Sequence, residues 1–255
     1  MFQTLRLFSF NFDIYSIFYS CAIVTAAFLI RRELNRHHFP PLLFIEILLV
    51  GTFAGFIGSK LYFCVSGWNE VMRDPAGFFF SIHGSGWFGG LFLGGLSVLL
   101  FLRAKKYPVL NTLDVIIPAV PLAQAIGRLG CFLSGDGCYG VPSDVPWAMA
   151  FPDGLVPTYD KVHPTPLYEL ITCALVFALL WKLRRKEMPA GFKLSIYLAI
   201  SGAGRFVVEF YRCNREIFLG LTLPQVASIL SILSGFFIIL NGRIAKRNFK
   251  ISYSH

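Results

Sequence analysis

The chain has 255 residues, of which 55% are hydrophobic and only 15% charged, with a formal net charge of +9. A soluble domain carries about 25% charged residues, whereas residues 14–30 and 217–242 contain none, each run close to or above the roughly 20 residues that cross a bilayer. These proportions exclude a water-soluble domain. They also argue against a nucleic-acid partner, because the basic residues cluster in short links between apolar runs, where orientation in a membrane puts them.

Seven spans are predicted, near 13–31, 41–66, 85–103, 112–130, 166–183, 193–211 and 221–241. The first is not expected to be a cleaved signal peptide, since only Arg6 precedes it and Arg31 and Arg32 stand where a small-residue cleavage site would be. The links 31–39, 103–108 and 182–193 hold eleven Lys or Arg residues, and four more follow Asn241. With seven spans all of these fall on one side, leaving Arg6, Arg73, Lys161, Arg212 and Arg215 on the other. The positive-inside rule then puts the N-terminus outside and the C-terminus in the cytoplasm. The expected fold is all-α: a polytopic integral membrane protein with seven transmembrane helices. It forms a single membrane domain over 1–255, with an outer-face loop at 130–165.

Glu46 and Lys60 interrupt the second span. A charge inside a span is costly, so it faces protein or a wet cavity and is functional by default; Glu46 reads equally well as an interfacial or helix-pairing residue. The third span begins with Gly84, Gly86, Gly89, Gly90, Gly94 and Gly95. The later glycines suit close helix packing, while the earlier ones, beside His83 and Trp87, suit either packing or a backbone path for a lipid. The fourth span contains Pro118 and Pro121, which predict a kinked or broken helix that delivers Arg128 into the bundle. Beyond Arg128 the chain runs through Gly130, Gly135, Asp136, Gly137, Tyr139 and Gly140 into a loop rich in Gly, Pro and Asp. Loops this long without regular structure are commonly functional.

Glu169 opens the fifth span after His163-Pro164-Thr165-Pro166, and it reads either as a first-turn capping carboxylate or as part of a site. His163 reads as an ordinary loop histidine or as a proton shuttle. Arg205 and Glu209 lie four apart in the sixth span, on one helical face. They form either an intrahelical ion pair or an anion site in which Arg205 binds and Glu209 orients. By the topology above, Arg128, Glu169, Arg205 and Glu209 all reach the outer half of the membrane and can meet. Two arginines at that depth suit a phospholipid head group, because the planar guanidinium matches phosphate and stays charged when partly desolvated. The six cysteines show no CxxC and no metal-ligand spacing with histidine, so no metal site is expected. For Cys131 and Cys138, which flank the glycine turn, three readings stand: a disulfide, a catalytic thiol, or two free thiols.

In this order the segments resemble the bacterial prolipoprotein diacylglyceryl transferases over nearly the whole chain. The resemblance rests on Gly127-Arg128-Leu129-Gly130 leading to Gly135-Asp136 and Tyr139-Gly140. Further matches are His163-Pro164 with Leu167-Tyr168-Glu169, and Gly204-Arg205-Phe206 with Glu209-Phe210 and Arg212. Tyr15 looks like the tyrosine the family places at the start of its first span. The resemblance implies a seven-span inner-membrane enzyme with its site toward the outer leaflet and no metal or organic cofactor. Its reaction would transfer the diacylglyceryl group of phosphatidylglycerol to the lipobox cysteine thiol of a preprolipoprotein. Arg128 and Arg205 would bind the head-group phosphate; Glu169, Glu209 and Asp136 would position the arginines or help proton movement; Tyr15, Tyr139 and His163 would line the site.

Several positions depart from the family pattern. Phe88 stands where some members have histidine, so the base role of that histidine does not carry over. Cys131 replaces an asparagine, Ser134-Gly135-Asp136 replaces Asn-Gly-Glu with one extra residue before Gly140, and Lys60 stands where arginine is usual. Three alternatives follow: a related enzyme with another lipid or acceptor, a membrane protein that binds or transports a lipid or anion through the same arginines, and a non-catalytic family member, the last motivated by Phe88. No inverted repeat favours a transporter.

Overall fold

In a bilayer the backbone must satisfy its own hydrogen bonds, so apolar runs of this length close into helices. A computed structural model describes residues 4–7, 10–66, 68–73, 87–214, 216–218 and 220–244, and the protein is mostly helical (71%). The elements are β1 (Thr4–Leu7), β2 (Phe10–Asp13), α1 (Ile14–Arg36), α2 (Leu43–Ser66), α3 (Trp68–Arg73), α4 (Trp87–Ala104), α5 (Val109–Ile116) and α6 (Ala119–Ser134). They continue with β3 (Met149–Phe151), β4 (Thr158–Val162), α7 (Thr165–Leu183), α8 (Phe192–Glu209), β5 (Glu216–Phe218), β6 (Leu221–Thr222) and α9 (Leu223–Ile244). The all-α expectation holds for the bulk of the chain but missed three short antiparallel hairpins, β1–β2, β3–β4 and β5–β6. Each is too short to show a period-two pattern.

The helices α1, α2, α7 and α9 are long and apolar enough to cross a membrane, and α5 with α6 makes a fifth candidate, bent by 43°. The break falls at Ile117–Pro118, as the two prolines predict, because proline cannot donate the N–H that would carry the helix through. Gly89–Ala104 is a shorter apolar helix, and α8 carries three charged residues, Lys193, Arg205 and Glu209. Large apolar side chains stand outward on the candidate spans, among them Phe28, Leu49, Phe53, Leu175, Phe237 and Leu240. Lipid satisfies such a surface and water does not. This is a multi-pass membrane protein.

The described residues group into two compact units, one within Ile30–Thr112 and one within Met1–Leu29 and Leu113–His255. In the first unit α2 packs on α4 through glycines. A Cβ on Gly58 would strike the carbonyl of Gly89 and the Leu93 side chain, and a Cβ on Gly94 would meet the Gly51 carbonyl at 2.9 Å. Gly89, Gly90 and Gly94 therefore serve packing, whereas Gly95 has open space beside it; the face is completed by Gly51, Gly55 and Gly58, which sequence reasoning overlooked. Glu46 is a helix-pairing residue, its Oε1 lying 3.3 Å from Lys105 Nζ just beyond α4.

In the second unit α6, α7, α8 and α9 pack in succession, and Ile117, Val176, Leu180 and Tyr197 form a buried core at the α6–α7–α8 end of that series. Asp114 fixes the start of α8, its carboxylate accepting the backbone N–H groups of Gly191 and Leu194 at 2.8 Å each. That cap sets the register of α8, and with it where Arg205 and Glu209 emerge at the far end.

Candidate functional site

Three helix ends converge in the second unit. The helix α6 runs one turn past the predicted boundary, to Ser134, and stops at Gly135, whose left-handed backbone (φ 60°) returns its N–H to the Cys131 carbonyl at 3.1 Å. This leaves Arg128 within the last two turns. The helix α7 starts after Pro164, and Glu169 falls in its second turn. The first-turn capping reading is thereby corrected, since no acidic residue occupies the first turn. Instead the Glu169 side chain, 5% exposed, points inward to three arginines.

Glu169 Oε2 pairs with Arg128 Nε, while its Oε1 accepts from Arg205 Nη1 at 2.5 Å and lies 3.5 Å from Arg212 Nη1. Arg205 Nη2 reaches Glu209 Oε2 at 2.6 Å, so the intrahelical pair exists, but as one edge of a larger network. Glu209, 2% exposed, is held at its other oxygen by Asn214 Nδ2 at 2.6 Å and Thr222 Oγ1 at 2.8 Å. Gln225 Oε1 in turn accepts the Thr222 N–H at 2.9 Å. Burying a charge is tolerable only when it is paired, and here each carboxylate is ion-paired to arginine, with Glu169 Oε1 and Glu209 Oε1 also hydrogen-bonded. Three guanidinium groups against two carboxylates leave one net positive charge in a low-dielectric setting. The fork of each guanidinium has five donors, so the geometry suits a second, bound anion.

Around this cluster the predicted residues divide. Tyr15, at the start of α1, is within electrostatic reach of Arg128, Cys131, Asp136 and Cys138. Asp136 Oδ1 accepts the Cys138 N–H at 3.1 Å and so shapes the turn after α6. Tyr139 is engaged by the loop: its hydroxyl donates to the Val156 carbonyl at 3.0 Å and its ring stacks on Phe151 at 5.2 Å. Burial, with Cys213 nearby, raises the Tyr139 phenol above its ordinary range. Cys131 and Cys138 bring their sulfurs and an Asp136 oxygen within 4.8 Å of one another. The neighbouring Cys131 thiol, followed by the charges of Arg212 and Arg128, holds the Cys138 thiol below its ordinary range, against the opposing effect of burial.

His163 belongs to a different feature, an apolar groove of about 610 Å³. Val145, Trp147 and Tyr211 line it together with α7 and α8 residues that include Tyr168, Thr172 and Gly204. His163, 8% exposed, has Nδ1 at 3.0 Å from the Tyr168 hydroxyl, which also accepts Trp147 Nε1–H at 2.6 Å, and its ring packs on Tyr211 at 4.8 Å. The loop at 130–165 is ordered by β3–β4 and by Gly140 N–H to His163 O at 2.8 Å and Val141 N–H to Tyr211 O at 2.9 Å. His83 lies outside the described residues, and for Phe88 the helical backbone alone is described.

Sequence reading placed Arg212 on the outer side without giving it a role, and it missed Asn214, Thr222 and Gln225. The available signal for Arg212 was its place in the motif Glu209-Phe210 followed by Arg212, just beyond the end of α8. Thr222 and Gln225 cap each other at the start of the last span, a pairing that Thr-x-x-Gln spacing signals, but nothing local to Thr222 indicates a partner thirteen residues back.

The family model described as prolipoprotein diacylglyceryl transferase matches residues 3–241. A phosphatidylglycerol–prolipoprotein diacylglyceryl transferase of Clostridium tetani is 31% identical over 238 residues, spanning 91% of this chain and 94% of its own. A phosphatidylglycerol–prolipoprotein diacylglyceryl transferase 2 of Clostridium perfringens is 32% identical, spanning 91% and 89%. A relative of the same name from Fervidobacterium nodosum is 30% identical, spanning 92% and 83%.

Proposed function

The chain belongs to the prolipoprotein diacylglyceryl transferase family, and on that premise we propose that it moves the diacylglyceryl group of phosphatidylglycerol onto the cysteine thiol of a preprolipoprotein. It is then a transferase of lipoprotein biosynthesis. The observation that carries the reading is the convergence of Arg128, Arg205 and Arg212 on Glu169, a buried cluster with one positive charge in excess. The relatives' names supply the two substrates.

In this reading the whole chain is one membrane domain of seven spans, with α5 and α6 together as the fourth and α4 and α8 as the third and sixth. The N-terminus lies outside, the C-terminus lies in the cytoplasm of a bacterial inner membrane, and the cluster faces the outer leaflet. The charged links at 31–39, 103–108 and 182–193 support that orientation.

The thiolate sulfur attacks the glyceryl carbon next to the phosphate. A C–S bond forms, the C–O bond breaks, and glycerol phosphate leaves with the electron pair. Negative charge grows on the phosphate oxygens, and Arg128 and Arg205 stabilise it without reorganising, because Glu169 and Glu209 already hold them in place. Tyr15 and Asp136 line the head-group end. The apolar groove takes the lipobox segment, with the thiol toward His163. If His163 Nδ1–H donates to Tyr168, Nε2 remains to accept the thiol proton, a role that Phe88 cannot fill. Tyr139 supports the loop from outside the reaction centre.

The test supplies purified protein in phosphatidylglycerol micelles with a lipobox peptide and follows the peptide's mass. A diacylglyceryl adduct on cysteine, absent when the peptide carries serine, supports the reading. His163→Gln should lower turnover by about 10²-fold or more while leaving lipid binding intact. Anion uptake into vesicles with no peptide adduct would mark a transporter and overturn it.

A further inference from the structure

The turn after α6 holds two thiols for which the arginine cluster has no use. Cys131 is on the last turn of the helix, and Cys138 follows two glycines with left-handed backbone, Gly135 (φ 60°) and Gly137 (φ 83°). That backbone folds the chain back on itself, so the two sulfurs fall within 4.8 Å of each other. Cys138 is held from other directions as well. Its N–H donates to Asp136 Oδ1 at 3.1 Å, and its carbonyl accepts Thr165 Oγ1–H at 2.5 Å. The pair is therefore positioned before any bond forms.

We propose that Cys131 and Cys138 form a disulfide, a modification site that staples the end of α6 to the loop carrying Asp136. The proposal rests on the reading above in one respect, that this turn faces the oxidising outer side of the membrane. Cys138 is partly exposed and Cys131 is buried, so the two have different parts. Cys138, as thiolate, attacks one sulfur of an incoming small-molecule or protein disulfide; that S–S bond breaks and one thiol departs. Cys131 then gives up its proton and attacks the Cys138 sulfur, which expels the second thiol. Two cysteine thiols become one disulfide, and one external disulfide becomes two thiols. The adjacent Cys131 thiol, together with the charges of Arg212 and Arg128, favours the Cys138 thiolate that begins the exchange. A divalent metal on the same sulfurs is disfavoured by those two cations, and the carboxylate that would be its third ligand already accepts the Cys138 N–H.

The experiment reads mass, not transferase activity, so it can fail or succeed independently of the function. Cells are quenched with N-ethylmaleimide, and the full-length protein is purified, denatured and weighed. With six cysteines in the chain, the pair predicts four labels without reductant and six with it, and peptide mapping joins 131 to 138. Six labels without reductant, a bridge from either cysteine to a different partner, or stoichiometric zinc or iron held by the two thiols would overturn the proposal. A second readout compares melting of the purified protein with and without reductant. Reductant lowers the midpoint of the wild type and leaves the Cys131→Ser/Cys138→Ser variant unmoved. A wild type that carries four labels yet melts identically in reductant would refute the stapling role.

Discussion

Glu169→Gln is the perturbation that reaches furthest into this site. The wild-type carboxylate is 5% exposed and touches Arg128, Arg205 at 2.5 Å and Arg212 at 3.5 Å. The amide is nearly isosteric, so the change removes charge rather than volume. The cluster goes from one net positive charge to two, and three guanidinium groups are left facing one another. Breaking a buried pair from one side costs about 3–5 kcal/mol. At about 2–4 °C per kcal/mol for a chain of this size, the melting midpoint should fall by roughly 10 °C. Activity should fall by about 10²-fold or more, since the arginines lose the group that aims them. Glu169→Asp, which keeps the charge on a shorter arm, should lie between. Adding Arg212→Gln to Glu169→Gln returns the cluster to one net charge and should recover part of the midpoint. The assays are thermal melting in detergent and glycerol phosphate release from phosphatidylglycerol. A Glu169→Gln protein indistinguishable from wild type in both would refute the reasoning.

Other consequences are simpler. Gly58→Ala should cost at least about 1–3 kcal/mol in melting experiments, since its Cβ has no room against Gly89 and Leu93. Gly95→Ala, with nothing within 4 Å of its Cβ, should stay within about 0.5 kcal/mol of wild type. Asp114→Ala removes two backbone N–H bonds at the start of α8 and should lower stability by about 0.5–2 kcal/mol, again read by melting. In reduced protein, Cys138 should be alkylated half-maximally at a pH below that of an ordinary thiol. The sign follows from its lowered pKa, which leaves more thiolate at a given pH, and a pH series of iodoacetamide labelling read by peptide mass checks it.

Much of this molecule was legible because a bilayer restricts what a chain can do. The predicted boundaries 41–66 and 166–183 lie within two residues of α2 and α7, and Pro118 and Pro121 mark the break between α5 and α6. Charges in apolar runs were equally plain, and Arg128, Glu169, Arg205 and Glu209 do meet. What stayed hidden depends on distance along the chain. Glu169 looked like a cap because its sequence neighbours are the start of a helix, yet its partners come from 41 residues before it and from 36 and 43 after. Thr222 supports Glu209 from β6, itself held by Gln225 of α9, and the Gly51, Gly55 and Gly58 face has meaning only once α4 lies against it. Tyr139 was grouped with the site by motif, but its ring found Phe151.

The central claim is that Arg128 and Arg205 stabilise the departing phosphate. The direct measurement is the rate of glycerol phosphate release from phosphatidylglycerol micelles, with and without a lipobox peptide, for wild type, Arg128→Ala and Arg205→Ala. Release should require the peptide thiol, and each variant should lose about 10²–10³-fold, or roughly 2.7–4 kcal/mol of transition-state stabilisation, while remaining folded by melting. Thiol-dependent release at the wild-type rate in either folded variant would contradict the account.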